Sequence, residues 1–163
     1  MAKDSSFDVV SEADRNEVRN AVNLAQKEIA TRYDFKKSVS AVTIEGDDLV
    51  IVSDNDGKLR SVIDLLQEKL VRRKVPLKAL QYGKVESALG GTVRQRVTVN
   101  QGIDEEKARA IGKLIRQDFK KVRVSVQGDA LRVFSPKKDE LQAVMQVLRD
   151  NDFGIPLQFT NYR

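Results

Sequence analysis

Val42–Ser53 reads VTIEGDDLVIVS and Val124–Ser135 reads VSVQGDALRVFS, and this pair decides the fold. Five of the twelve positions are identical, most of the others are conservative, and the offset is 82 residues. Each segment alternates apolar and polar residues on both sides of a Gly-Asp step, Gly46-Asp47 in one and Gly128-Asp129 in the other. Alternation broken by such a step predicts a β-hairpin. The flanks repeat as well: Asp34-Phe35-Lys36-Lys37 answers Asp118-Phe119-Lys120-Lys121, and Pro76-Leu77 answers Pro156-Leu157. The chain therefore holds two copies of one unit of about 80 residues.

Working outward, each copy carries the same elements. A short alternating segment comes first, at Phe7–Val10 and again at Val93–Val99. A helical pattern follows, with Val18, Val22, Ala25 and Ile29 in one copy and Ala108, Ile111, Leu114 and Ile115 in the other. Asp14 and Asp104 stand where an N-cap would accept backbone N–H groups. After the hairpin comes a second helix, built on Leu59, Val62, Ile63 and Leu66 or on Leu141, Val144, Met145 and Leu148. A last strand follows Pro76 and Pro156. The order β-α-β-β-α-β, read twice, predicts an α+β protein of two tandem ferredoxin-like sandwiches. Each would be a four-stranded antiparallel sheet with two helices on one face. Residues 1–87 and 88–163 form the two expected domains, with Gly83–Thr92 as the linker. Copies this alike also permit their first strands to be exchanged between units.

Composition excludes much. The 163 residues include no cysteine and no histidine, which removes disulfides, thiolate zinc sites, His-based triads and the usual neutral-pH proton carrier. No metal or other cofactor is expected. The longest apolar runs fall far short of the ~20 residues of a membrane span. The opening MAKDSSFD lacks the basic cap and apolar run of a secretory signal, so a cytoplasmic location is expected. G-x-x-x-x-G-K-[ST], G-x-G-x-x-G and G-x-S-x-G are all absent, and no catalytic residues are expected: the chain reads as a non-enzyme.

Charge points to an anionic partner. Residues 1–87 hold 15 Lys+Arg and 15 Asp+Glu, whereas residues 88–163 hold 14 and 9, so the whole excess of +5 falls in the second half. Sorting that half by strand alternation places Arg94, Arg96, Arg123, Arg132 and Phe134 on the sheet face opposite the helices. Arginine pairs with phosphate in two-pronged fashion and stacks on bases, and an aromatic ring offers a base its π-face. The competing reading is a merely solvated sheet, which Phe134 among arginines does not suit. Lys120 and Lys121 add a basic pair in the neighbouring turn, although such pairs are commonly solvated loops. The first copy would instead expose Asp8, Val10, Thr43, Glu45, Val50 and Val52, an apolar and slightly acidic face suited to cover by another chain or unit.

Phe7–Lys36, TVRQRV at Thr92–Val97, Lys113–Val133, DELQAVM at Asp139–Met145 and the terminal PLQFTNYR at Pro156–Arg163 resemble the bacterial YajQ family over nearly the whole chain. The resemblance implies two ferredoxin-like units and a nucleotide-binding protein without assigned catalysis, its ligand being cyclic di-GMP or GTP, or tRNA. Two positions depart from the family pattern: Lys37 stands where a glycine follows D-F-K, and Val133-Phe134-Ser135-Pro136 replaces V-T-G-K. Three functions are thus expected of the chain. The first is a non-enzymatic cytoplasmic effector that binds cyclic di-GMP or GTP through Arg94, Arg96, Arg123, Arg132 and Phe134. The second is an RNA binder using the basic C-terminal half, and the third a protein-interaction module.

Overall fold

A computed structural model describes residues 4–163. The strands are β1 (Ser5–Val10), β2 (Ala41–Glu45), β3 (Asp48–Ser53), β4 (Leu80–Ser87), β5 (Val93–Val99), β6 (Arg123–Gln127), β7 (Ala130–Ser135) and β8 (Gln158–Thr160). The helices are α1 (Arg15–Thr31), α2 (Asp56–Arg72), α3 (Glu105–Asp118) and α4 (Lys138–Asp150). They form two four-stranded antiparallel sheets in the orders β6-β7-β1-β8 and β2-β3-β5-β4, and the chain has the two ferredoxin-like units expected from the repeat.

The first strand of each repeat lies in the sheet of the other. β1 pairs with β7, Phe7 opposite Val133 and Val9 opposite Leu131. β5 pairs with β3, Val97 opposite Leu49 and Gln95 opposite Ile51. Contacts accordingly divide the chain into a split unit, residues 4–12 with Gln101–Arg163, and an inserted unit, Ala13–Asn100. The repeat boundary at residues 87 and 88 falls at the turn of the β4–β5 hairpin. The segment Gly83–Thr92, expected as a linker, is instead the end of this hairpin: Val85, Glu86 and Ser87 pair with Gln95, Arg94 and Val93 beyond a bulge.

Each unit closes its own core. In the split unit Phe7 and Val9 are fully buried with Ile111, Ile115, Leu131, Val133 and Leu148. Phe7 meets Phe159 edge to face, with ring centroids 5.5 Å apart. In the inserted unit Leu49, Ile51, Leu65, Leu66, Leu70 and Val97 fill the space between α1, α2 and the sheet. There α1 and α2 are also joined by the buried Lys69 ammonium, 2.9 Å from Glu28, and by Arg73, 2.8 Å from Glu17. The expected caps form: Asp14 accepts the N–H groups of Asn16 and Glu17, and Asp104 that of Lys107.

The two departures from the family pattern have local explanations. Lys37 has φ +63°, in the left-handed region that glycine enters without a Cβ penalty, which is why a glycine suits this place. Ser135 is fully buried; its hydroxyl accepts the Lys137 N–H and donates to Glu140, holding the start of α4.

Gly112, in the middle of α3, has no such backbone requirement. A Cβ there would meet nothing nearer than the Arg116 guanidinium at 3.5 Å. Gly112→Ala is therefore expected to raise stability by about 0.5–1 kcal/mol, the helix-interior penalty of glycine. Chemical denaturation checks this; a lower midpoint would mean that the open space beside Gly112 is required.

Candidate functional site

Because β1 and β5 trade places, the face sorted from the sequence is divided between two sheets. Arg123, Arg132 and Phe134 lie on the sheet of the split unit, whereas Arg94 and Arg96 lie on that of the inserted unit. The physical reason is pairing: Arg94 and Arg96 stand opposite Val52 and Val50 of β3, not beside β6 or β7. The five residues do not lie on one sheet.

On the inserted unit, Arg96 forks between Asp48 at 3.0 Å and Glu45 at 2.7 Å, and Arg94 lies 3.9 Å from Glu45. Hydrogen bonds to Asp48 and then Glu45 hold the Arg96 guanidinium above its ordinary pKa. These arginines neutralise the acids that the first repeat places on its open face. Val50, expected as an exposed docking residue, is 5% exposed beside them, and Val10 belongs to the other sheet.

On the split unit, register brings Arg123, Phe134 and Ser6 into one row and Ser125, Arg132, Asp8 and Thr160 into the next. Arg132 binds Asp8 through Nε at 2.8 Å and Nη2 at 3.3 Å, and Asn161 Nδ2 donates to the same carboxylate at 2.8 Å. The hydrogen bond from Arg132 draws the Asp8 carboxyl below its ordinary value against the opposing effect of burial, and Asn161 adds to the lowering. Arg132 thus has a buried counterion. Arg123 is more open, with its guanidinium 5.1 Å from the Phe134 ring centre and 2.7 Å from Asp4.

Beside Arg123 runs a groove of about 540 Å³, lined by Arg116, Lys120, Val122, Arg123, Val124, Ser125 and Phe134. The edge strand β6 forms one wall, and the last turn of α3 with the turn after it supplies Arg116 and Lys120. Three of the residues expected from sequence therefore meet here: Lys120, Arg123 and Phe134. Lys121 is exposed in the same turn but does not line the groove. Arg116 was not expected. It sits in the last turn of α3, where a cation reads as a partner of the helix dipole, and only the α3–β6 packing turns it toward the groove. Three cations, a hydroxyl and an aromatic face in one open cleft match a ligand with phosphates and a flat ring.

The charge balance also follows the units rather than the halves. Residues 13–100 hold 16 Lys+Arg and 12 Asp+Glu, whereas residues 1–12 with 101–163 hold 13 and 12. The positive excess of the second half therefore does not belong to one folded unit. Among the described residues no group of acids is placed to hold a metal ion, and no helix is long and apolar enough to cross a membrane.

The chain matches the family described as "Nucleotide-binding protein YajQ-like" over residues 5–163. It is 55% identical to a protein of Desulfitobacterium hafniense (strain DSM 10664 / DCB-2) over 163 residues, all of both chains, and that relative is called a nucleotide-binding protein. It is 50% identical to one from an Exiguobacterium species and 52% to one from Bacillus cereus (strain B4264), again over the full length of both chains. Both of these carry the same description.

Proposed function

The chain belongs to the YajQ-like family of nucleotide-binding proteins, and from this premise we propose that it binds a guanine nucleotide, cyclic di-GMP or GTP, without turning it over. The observation that carries the reading is the groove at β6, where Arg116, Lys120 and Arg123 converge beside Phe134. Phosphate oxygens pair with the guanidinium groups and the Lys120 ammonium, with a phosphate taking the place that Asp4 now holds on Arg123. The base lies on the Phe134 ring, where the Arg123 guanidinium stacks in its absence. The sequence offers no histidine or cysteine, and among the described residues no carboxylate lines the groove apart from Asp4 held by Arg123, which supports a binder rather than an enzyme.

The test is calorimetric titration of the nucleic-acid-free protein with cyclic di-GMP and with GTP, at physiological salt. Saturable binding at one site per chain is expected. Arg123→Ala and Phe134→Ala each weaken it at least about tenfold, a loss of about 1.4 kcal/mol. Arg96→Ala, whose guanidinium is held by Glu45 and Asp48, leaves it unchanged. Undiminished affinity in Arg123→Ala would remove this groove as the site. Recovery of the nucleotide intact after incubation is the expected result for a non-enzyme.

A further inference from the structure

β6 is an edge strand, and its outer side differs from that of its repeat counterpart β2. In the inserted unit, the backbone N–H of Val42 points away from β3 and donates to Gln26 Oε1 of α1 at 2.8 Å. The same helix buries Val42 to 1% exposure. At Val42 that edge is closed by a side chain and by packing, although Ile44, the counterpart of Val126, is 41% exposed.

In the split unit the closure is missing. Val124 and Val42 occupy matching places in their hairpins, so alternation aims the Val124 N–H outward as well. Counted from the capping aspartates Asp14 and Asp104, the residue level with Gln26 is Arg116, and one turn earlier stands Gly112. Neither side chain carries an acceptor. The same count sets Ala108 and Gly112 where α1 has Val18 and Val22, so α3 has smaller side chains at the places of those valines, with only the Arg116 guanidinium near Gly112. The result is a groove of about 380 Å³ between α3 and β6, floored by Ala108, Gly112, Val124 and Val126. Val126 is 65% exposed although it points to the helix side.

The usual protections of a sheet edge are a bulge, a proline, a lysine or extreme shortness. β4 has a bulge and Lys84, and β8 has three residues. β6 has no bulge, proline or lysine; its one charged residue, Arg123, stands at its first position, and RVSVQ runs in unbroken register against β7. On the groove rim Arg109 is paired with Glu105 at 3.4 Å, which leaves Arg116 as the cation without an acid beside it there, and the basic surface continues toward Lys120 and Arg123.

We propose that β6 is a docking edge for an extended acidic peptide segment of another protein, which adds as a fifth strand. Its backbone bonds the outward N–H and C=O groups of Val124 and Val126, its apolar residues enter the groove, and its carboxylates meet Arg116 and take the place of Glu105 on Arg109. A second copy of this chain is disfavoured as occupant, since two β6 edges would bring like-charged rims together. The inference does not rest on nucleotide binding, and because the two grooves share Arg116 and Val124 a docked strand and a nucleotide compete for that end of the edge.

The experiment is a titration of the nucleotide-free, isotope-labelled full chain with a blocked hexapeptide of alternating valine and aspartate, followed by backbone amide shifts. Saturable shifts centred on Val124, Val126 and α3 are expected. The counterpart peptide with lysine for aspartate should bind at least about tenfold more weakly. Val126→Pro removes an outward donor while sparing the β7 ladder, and Gly112→Leu fills the groove from the helix side. Each variant should retain the native spectrum and lose peptide binding by at least the same factor. No saturable shifts at β6, equal binding of the lysine peptide, or undiminished binding to a folded Gly112→Leu protein would overturn the proposal. Binding at this edge by an RNA oligonucleotide but not by the acidic peptide would overturn it too.

Discussion

Phe7→Ala is expected to destabilise the C-terminal half of the chain by about 3–5 kcal/mol, the cost of emptying an aromatic site in a core. Phe7 is fully buried and belongs to β1, yet its neighbours in the core are Ile111, Ile115, Val133 and Leu148, more than a hundred residues on. It also loses the edge-to-face contact with Phe159. Amide hydrogen exchange locates the damage. Protection should fall in α4 and β7 while that of α2, packed through Leu65, Leu66 and Leu70, holds. The reciprocal variant, Leu66→Ala, should cost about 2–5 kcal/mol and reverse the pattern. A loss centred on α1 and α2 in Phe7→Ala would mean that β1 pairs within its own repeat, contrary to its register with β7.

That exchange marks where sequence reasoning stops. The repeat was legible because hairpins, caps and helix faces are local: VTIEGDDLVIVS and VSVQGDALRVFS each hold their own alternation and their own Gly-Asp turn, and the sheets and helices follow. The partner of a first strand is not local. FDVV and VRQRVTV both offer alternate apolar residues to a facing strand, and either would satisfy either sheet. Assigning β5 to its own repeat placed Arg94 and Arg96 beside Arg123, whereas the ladder places them against Val52 and Val50. The same step made the basic half look like one basic body. Lys120, Arg123 and Phe134 were legible together because they lie within a single repeat on adjoining elements. Arg116 was hidden by the helix around it, where a last-turn cation carries no sign of what it faces. The open edge at β6 was likewise invisible, because it depends on Gln26 being replaced by a residue without an acceptor at a helix position whose neighbour is known only from the fold.

Acid should unfold the split unit through Asp8, and Asp8→Asn should remove much of that sensitivity. The Asp8 carboxylate is 6% exposed and accepts from Arg132 twice and Asn161 once. Those bonds, led by Arg132, depress its pKa below the ordinary 3.8 in the folded state. A depressed carboxylate contributes its full stability above the unfolded value near 3.9 and loses it as the pH falls through the lower folded value. The wild-type unit should therefore hold at neutral pH and weaken progressively once the pH drops below about 4. Asp8→Asn should cost about 1.5–3 kcal/mol at neutral pH, the range for hydrogen bonds to a charged group, because Arg132 then lacks its counterion. That difference should shrink as the pH is lowered, since protonation makes the wild-type side chain neutral as well. The inserted unit provides an internal control. Its Glu28, Asp34 and Asp54 are also lowered, chiefly by hydrogen bonds from Lys69, Arg32 and Ser38 respectively. Its acid response should be identical in the two proteins. Amide exchange measured between neutral pH and pH 3 resolves the units. Parallel acid curves for β7 amides in wild type and Asp8→Asn would show that Asp8 does not govern the transition; convergence at low pH would show that the Asp8–Arg132 pair fastens β1 into the sheet of the opposite repeat.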